Sequence, residues 1–135
     1  MTKTGKLLEM AKVMAAAAEK KAVEIDVPMV ISVCDMGGNT VLVHRMEDTL
    51  LASVSIAQNK AYTAASLKMS SEEAGAASQP GGPLYGLANC CEGRMVIFGG
   101  GFPITVDGKL VGAIGVSGGS VDEDMSVARA GLAAL

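Results

Sequence analysis

Two predicted hairpins constrain the fold of this chain more than any other feature of its sequence. Near the carboxyl end, the β-rich runs Phe102–Val106 and Leu110–Val116 flank a short turn that contains Gly108. Earlier in the chain, Met29–Cys34 and Thr40–Met46 flank a second glycine-containing turn. Because strands joined by tight turns pair antiparallel, a mainly antiparallel sheet is expected.

Helical patterns surround these hairpins. Apolar residues recur at three- and four-residue steps over about 4–25 and about 50–68. Capping boxes predict where two further helices begin, at Ser70 with Glu73 and at Ser120 with Glu123. A breaker-rich loop over 75–93 leads into Met95–Phe98, which is interpreted as an additional strand. The predicted order is helix, hairpin, helix, loop, three strands and helix, which favours an α+β fold with helices covering a sheet.

Length and composition indicate one self-associating domain. A chain of 135 residues has the usual size of a single domain, so residues 1–135 are predicted to form one. Hydrophobic residues make up 50% of the chain and charged residues only 19%, which leaves few charges to cover the surface of a monomer. A large interface between subunits, and hence a homo-oligomer, is therefore expected.

The same composition argues against several partners and compartments. The net charge is −3, the aromatic content is 3% and Trp is absent, so no nucleic-acid partner is expected. Apolar runs are too short to span a membrane and no signal peptide is recognisable, so no membrane partner is expected either. The three cysteines, two of them adjacent, fit neither a disulfide framework nor a structural zinc site. The reducing cytoplasm is the expected location.

Glycine clusters next to two of the predicted strands are candidate ligand contacts. The candidates are Gly99, Gly100, Gly101, Ser117, Gly118 and Gly119. Backbone N–H groups at the start of a helix can bind an anion, and consecutive glycines let a flat ligand approach the backbone. Glycines also serve sharp turns, bulges and close packing of a strand on a helix. The sequence leaves both interpretations open.

Side chains on the first hairpin are further candidates. Cys34 can supply a thiolate to haem iron, and His44, the one histidine of the chain, is a second candidate ligand. The alternatives are a small buried hydrophobe for Cys34 and a structural role for His44. Asp35 is a candidate ligand contact beside Cys34. Cys90 and Cys91 are too close together to chelate one metal well, so packing is predicted for them.

Lys60 is the charged candidate on the Ala-rich second helix. Its ammonium group can neutralise a carboxylate, a phosphate or a haem propionate in a pocket bordered by the two glycine segments. Alternatively it is solvated, or it forms a structural ion pair, for which Asp35 is one partner. Asp122 and Asp124 are explained by the dipole of the last helix. With one histidine and no Ser-His-Asp arrangement, neither a catalytic residue nor a metal site is predicted.

A set of short motifs follows along nearly the whole chain: Asp35–Gly38, His44–Met46, Asn59–Ala65, Gly99–Ile104, Gly112–Gly119, Asp124 and Ala128–Gly131. Taken in order, these motifs resemble the GlcG/HbpS family, also called DUF336. The glycine-rich segment at 112–119 is specific once the others precede it.

The resemblance implies a profilin-like fold, with a five-stranded antiparallel sheet flanked by helices and assembled into tetramers or octamers. It also implies ligand binding rather than a settled reaction. Some relatives bind haem, and others are fused to cobalamin adenosyltransferases of the PduO type or accompany diol and glycerol dehydratase genes. Haem-binding relatives carry a histidine on the first helix, where this chain reads Met14–Lys20 without one.

The functional hypothesis is a small-ligand-binding homo-oligomer that takes haem or another tetrapyrrole and is accessory to cobalamin-dependent diol or glycerol metabolism. One alternative is a small-molecule enzyme in which Lys60, Asp35 and the glycine segments line an anionic substrate site. Another is a purely structural oligomeric accessory. The resemblance favours binding over catalysis.

Overall fold

The computed structural model describes residues 5–135, in which helices lie before, between and after the strands. The helices are α1 (Lys6–Glu24), α2 (Ala52–Leu67), α3 (Ser71–Ala77) and α4 (Val121–Leu132). The strands are β1 (Val30–Asp35), β2 (Thr40–Arg45), β3 (Gly101–Val106) and β4 (Lys109–Ser117). Two short 3-10 turns, Leu87–Asn89 and Cys91–Gly93, lie in the long loop that leads to β3. None of the helices within these residues combines the length and apolarity needed to cross a membrane.

The strands form one antiparallel sheet in the order β2-β1-β4-β3. Both predicted hairpins are confirmed, because β1 pairs with β2 and β3 pairs with β4. The central strands β1 and β4 join the two hairpins, and Ile31 lies opposite both His44 and Val116. The edge strand β2 is only partly covered, so the side chains of Val41–His44 are half-buried and those at its two ends are exposed.

Helices cover both faces of this sheet. Because side chains alternate along a strand, Ile31 and Val33 point to one face, where they share a core with α1 and α4. Cys34 points to the opposite face, where it packs with Ala113 and three alanines of α2. The side chains of β1 are therefore buried on both faces of the sheet.

Two glycines allow the backbone of α2 to rest directly on the sheet. A Cβ atom at Gly115 would lie 2.1 Å from the carbonyl oxygen of Ala57, and one at Gly101 would lie 2.4 Å from that of Lys60. Such distances are far inside van der Waals contact, so no larger residue fits at either position without moving the helix. This close approach places Lys60 against the strands.

The expected fifth strand is absent from the sheet, and the prediction of a five-stranded sheet is wrong. Within residues 5–135 the sheet has four strands, and Met95–Phe98, interpreted above as a strand, does not join it. The helices hold this segment instead. The Val96 N–H donates to Thr63 Oγ1 of α2 at 2.9 Å, and the Ile97 carbonyl packs against Gly75 of α3. The segment therefore crosses the helical layer before Gly101 begins β3.

The helix ends follow from local signals in the sequence. Both predicted capping boxes are present, Ser70 with Glu73 at α3 and Ser120 with Glu123 at α4. The predicted helix at about 50–68 agrees with α2 to within two residues at each end. The predicted start of the first helix at residue 4 lies outside the described residues, and its predicted end at 25 is one residue beyond α1.

Candidate functional site

Lys60 and Asp124 form an ion pair inside the protein. Lys60 is 0% exposed, and its Nζ donates to Asp124 Oδ2 and to the Val116 carbonyl, both at 2.8 Å. Asp124 Oδ1 accepts the N–H of Gly119 at 2.8 Å. The ring centroid of Phe98 lies 5.1 Å from Nζ, within the range of a cation–π contact. The pair thus ties α2 and α4 to the end of β4.

Burial and pairing act in opposite directions on these two groups. Burial lowers the pKa of Lys60 and raises the pKa of Asp124, and the hydrogen bond and the attraction between the two groups oppose these shifts only in part. A buried ion pair with its remaining hydrogen bonds satisfied is a structural unit. The Lys60 charge is already neutralised before any ligand arrives.

The predicted glycine segments surround this pair. Gly100 has φ +130°, and a Cβ there would lie 2.6 Å from the Val116 oxygen and 2.7 Å from Lys60 Nζ. A Cβ at Gly99 would lie 2.3 Å from the sulfur of Met125 on α4. The structure therefore brings Lys60, the 99–101 segment and the end of β4 together in a closely packed junction.

The remaining residues of the second segment join the same junction. Ser117 is 5% exposed, and its Oγ donates to Ser53 Oγ at 3.2 Å. A Cβ at Gly118 would lie 2.4 Å from the Pro28 carbonyl oxygen. Gly119 contributes its N–H to Asp124. Ser117, Gly118 and Gly119 thus all pack against or bond to neighbouring parts of the protein.

Cys34 and Asp35 lie apart from this junction. Cys34 is 3% exposed beneath α2, and burial raises the pKa of its thiol to about 11, so at neutral pH it is protonated. Asp35 organises the β1–β2 turn, because its carboxylate accepts the N–H groups of Gly37 at 2.9 Å and Asn39 at 3.0 Å. The partner of Lys60 is therefore Asp124 and not Asp35.

His44 lies on the other face of the sheet. It is on the edge strand β2, and its Nδ1 is paired with the carboxylate of Glu19 on α1. The two side chains are 39% and 40% exposed. With Nδ1 on the carboxylate, Nε2 points away from Glu19 and has no hydrogen-bond partner among residues 5–135. A carboxylate on one ring nitrogen is the arrangement common among histidines that bind a metal through the other.

Asp124 is the residue of this site that the sequence analysis did not assign to it. Its assignment to the helix dipole overlooked that Asp124 lies one turn before Ala128, on the side of α4 that also carries the buried Met125. A carboxylate on the buried side of a helix requires a partner, and that signal was available. Cys90 and Cys91 differ from their predicted packing, since both are exposed.

Two surface cavities are lined by residues other than the predicted site residues. One of about 350 Å³ is flanked by Asp26, Glu47 and Asp48, and another of about 320 Å³ is lined by uncharged residues that include Tyr85 and Asn89. Across residues 5–135, no group of three His, Cys, Asp or Glu side chains is arranged to hold a metal ion.

This architecture, one antiparallel sheet with helices on both faces, defines an α+β class of small domain. The chain matches the family model described as "Haem degrading protein HbpS-like" over residues 7–133, and it belongs to that family. The resemblance to GlcG/HbpS proteins is thereby confirmed. GlcG of Escherichia coli K12 is 32% identical over 109 residues, which is 81% of this chain and 78% of that protein.

More similar relatives are known. A 15.0 kDa protein from the dhaT-dhaS intergenic region of Citrobacter freundii is 51% identical over 125 residues, which is 93% of this chain and 88% of that protein. The corrinoid adenosyltransferase PduO of the same organism is 44% identical over 119 residues, which is 88% of this chain but only 36% of that protein. The chain thus corresponds to about a third of PduO.

Solved structures share both the fold and the sequence pattern. Protein ORFY of Klebsiella pneumoniae has a TM-score of 0.91 and 45% identity, with 99% of this chain and 95% of that chain covered. The haem complex of PduOC has a TM-score of 0.92 and 39% identity, with 94% of this chain and 92% of that chain covered.

Proposed function

We propose that this protein is a homo-oligomeric tetrapyrrole-binding module that takes haem and serves corrinoid-dependent metabolism. The observation that carries the proposal is the similarity, over nearly the whole chain, to a domain solved in complex with haem. The link to corrinoids rests on the relatives named as corrinoid adenosyltransferases. Because the chain spans only 36% of the first of these, adenosyl transfer is not part of the proposal.

The residues present fit haem at one position in particular. His44 carries an imidazole whose Nε2 has no hydrogen-bond partner in the described part of the chain and whose Nδ1 is held by Glu19, on an edge strand that ligands can reach. Cys34 is buried and protonated at neutral pH, so it is a poor source of thiolate. We therefore assign the iron ligand to His44, and Glu19 has the role of orienting its ring.

Self-association is a further part of the proposal. Several large apolar side chains are exposed on the isolated chain, among them Leu51 at 88%, Val23 at 67% and Leu50 at 66%. A subunit interface would cover such residues and supply the walls that a flat apolar ligand needs. The free thiols of Cys34, Cys90 and Cys91 are consistent with a reducing cytoplasm.

A catalytic role for Lys60 on an anionic substrate has less support. Its ammonium group is fully buried and is already paired with Asp124. An enzyme that uses this charge would first have to open the junction and break the pair, which is costly for buried ions.

Haem titration of three proteins tests the ligand assignment. Wild type, His44→Ala and Cys34→Ala are titrated with haem, and the Soret band is followed for position and affinity. We expect a saturable red-shifted band for the wild type and for Cys34→Ala. For His44→Ala we expect at least a tenfold loss of affinity, because loss of even an outer-shell partner of a metal ligand typically costs tenfold or more. Equal titrations of wild type and His44→Ala would exclude His44 as the ligand. A haem titration of the wild type that does not saturate would exclude haem as the ligand.

A further inference from the structure

Arg94 is a surface cation that the protein holds in one orientation. Its guanidinium carbon lies 3.6 Å from the centroid of the Tyr62 ring, so the two planar groups are in close contact. Its Nε donates to Asn59 Oδ1 at 3.1 Å. A long side chain on an exposed loop is thereby fixed from its face and from one edge.

The supports of Arg94 are themselves fixed. Tyr62 and Asn59 both lie on α2, and the Tyr62 ring packs against Gly38 of the β1–β2 turn, where an added Cβ would lie 3.2 Å from the ring. Thr63 Oγ1 donates to the Asn59 carbonyl at 2.7 Å and accepts the Val96 N–H at 2.9 Å. The segment that carries Arg94 is therefore pinned to the same helix that supplies its partners.

The charge of Arg94 is not neutralised within residues 5–135. The ion pairs there are Glu9 with Lys12, Glu19 with His44, and Lys60 with Asp124. Asp35 is the acidic group of the adjoining turn, and its oxygens are occupied by N–H groups of Gly37 and Asn39. Both Nη groups of Arg94 are consequently free to donate.

We propose that Arg94, held by Tyr62 and Asn59, is a binding site for the oxyanion group of a small ligand, a carboxylate or a phosphate. A guanidinium group whose Nε is occupied still presents two parallel Nη–H groups at its end, which match the two oxygens of such an anion. Fixing the side chain in advance removes much of the entropy that a free arginine loses on binding.

This site is separate from the haem position proposed above. Asn59 and Tyr62 belong to α2, on the face of the sheet opposite α1, whereas His44 pairs with Glu19 of α1. Arg94 and His44 therefore serve different ligands or different parts of an assembly. The oxyanion site does not depend on haem binding.

The test uses inorganic phosphate and succinate as separate probes and follows the arginine Nε–Hε signals of the intact protein by NMR. The Arg94 signal is assigned by its loss in Arg94→Gln. Arg129 is the matched control, because its guanidinium lies over the Phe102 ring at 5.3 Å and has no side-chain hydrogen bond among the described residues. We expect a saturable shift of the Arg94 signal with at least one probe and only a small, non-saturating drift of Arg129.

Two variants complete the experiment. Arg94→Lys keeps the charge but loses the planar fork, and Tyr62→Leu keeps the arginine but removes the surface that orients it. We expect each to weaken the responding anion by about tenfold, the scale of one charge-assisted hydrogen bond, while Arg129→Lys binds like the wild type. The probe that binds more tightly identifies the anion as carboxylate or phosphate. A linear Arg94 response to both probes, or wild-type affinity in Arg94→Lys, would overturn the site.

Discussion

Lys60 and Asp124 place two opposite charges where neither can be solvated by water. Each satisfies the other, and Val116 and Gly119 complete their hydrogen bonds. The arrangement is specific, because an ion pair inside a protein is stabilising only when its geometry and its remaining bonds are complete. The pair therefore holds α2 and α4 together.

Removal of Lys60 alone is expected to be severely destabilising. Lys60→Met leaves the Asp124 carboxylate buried without its partner, which lowers the free energy of unfolding by about 3–5 kcal/mol. Lys60→Met combined with Asp124→Leu removes both charges and is expected to recover most of this loss. Urea unfolding of the three proteins measures the difference. If the double variant is as unstable as the single one, shape rather than charge determines the effect.

Cys34 is expected to make the free energy of unfolding fall at alkaline pH. The folded pKa of its thiol is about 11, above the ordinary value of 9.0, because burial disfavours the thiolate. Below about pH 8 the thiol is protonated in both states. As pH rises from there, the unfolded chain loses the proton first, so folding loses about 2–3 kcal/mol by the time pH reaches the folded pKa.

Comparison with Cys34→Ala isolates this contribution from other groups that titrate in the same range. The free energy of unfolding of the wild type, relative to Cys34→Ala, should fall between about pH 8 and about pH 11. Cys90→Ala is the control, because Cys90 is exposed. A wild type and a Cys34→Ala protein with parallel pH profiles would contradict the assignment.

Sequence reasoning at the residue scale found Lys60 but not its partner. The Ala-rich surroundings of Lys60 made its charge conspicuous, and its neighbours at Gly99–Gly101 were predicted. Asp124 is 64 residues away along the chain, and no periodicity in a single sequence connects two such positions. The same holds for Arg94 and Tyr62, which are brought together only by the path of the loop before β3.

The contact between α2 and the sheet depends on the absence of side chains at two positions. Alanines on the helix and glycines on the strands let the two backbones touch. Side chains usually separate a helix from a sheet. Because they are absent here, the interface between α2 and the sheet has no room for added volume.

Gly115→Ala tests that intolerance. The added methyl group would lie 2.1 Å from the Ala57 carbonyl oxygen and 2.6 Å from the Ala61 nitrogen, both of them backbone atoms. We expect the free energy of unfolding to fall by about 3 kcal/mol, the upper range for overpacking. Gly37→Ala is the control, since its methyl group would meet only the side chains of Asn39 and Asp35, with an effect of about 0.5 kcal/mol or less. Equal stability of the two variants in urea would contradict the packing described here.

Local patterns predicted most elements correctly, and the error at Met95–Phe98 has a physical cause. The hairpins and capping boxes are signals within a few residues, and the structure contains them. Met95–Phe98 has the composition of a strand, but its backbone bonds to Thr63 and packs on α3. A strand forms only when a neighbouring edge is available, which composition does not reveal.

At the scale of the whole molecule, the exposed apolar side chains and the low charge predict assembly. Only 19% of residues are charged, and Leu50, Leu51 and Val23 are exposed on the isolated chain. A closed oligomer would bury these side chains, so we expect one. The number of subunits, proposed as four or eight, stays a prediction.

Native mass spectrometry of the purified protein, before and after addition of haem and of cobalamin, tests the central claim most directly. It measures the mass of the assembly and the number of ligands bound in the same spectrum. We predict a multiple of the 13.7 kDa chain, with added mass that corresponds to haem and is lost in His44→Ala. A 13.7 kDa monomer that gains mass with neither tetrapyrrole would contradict the account.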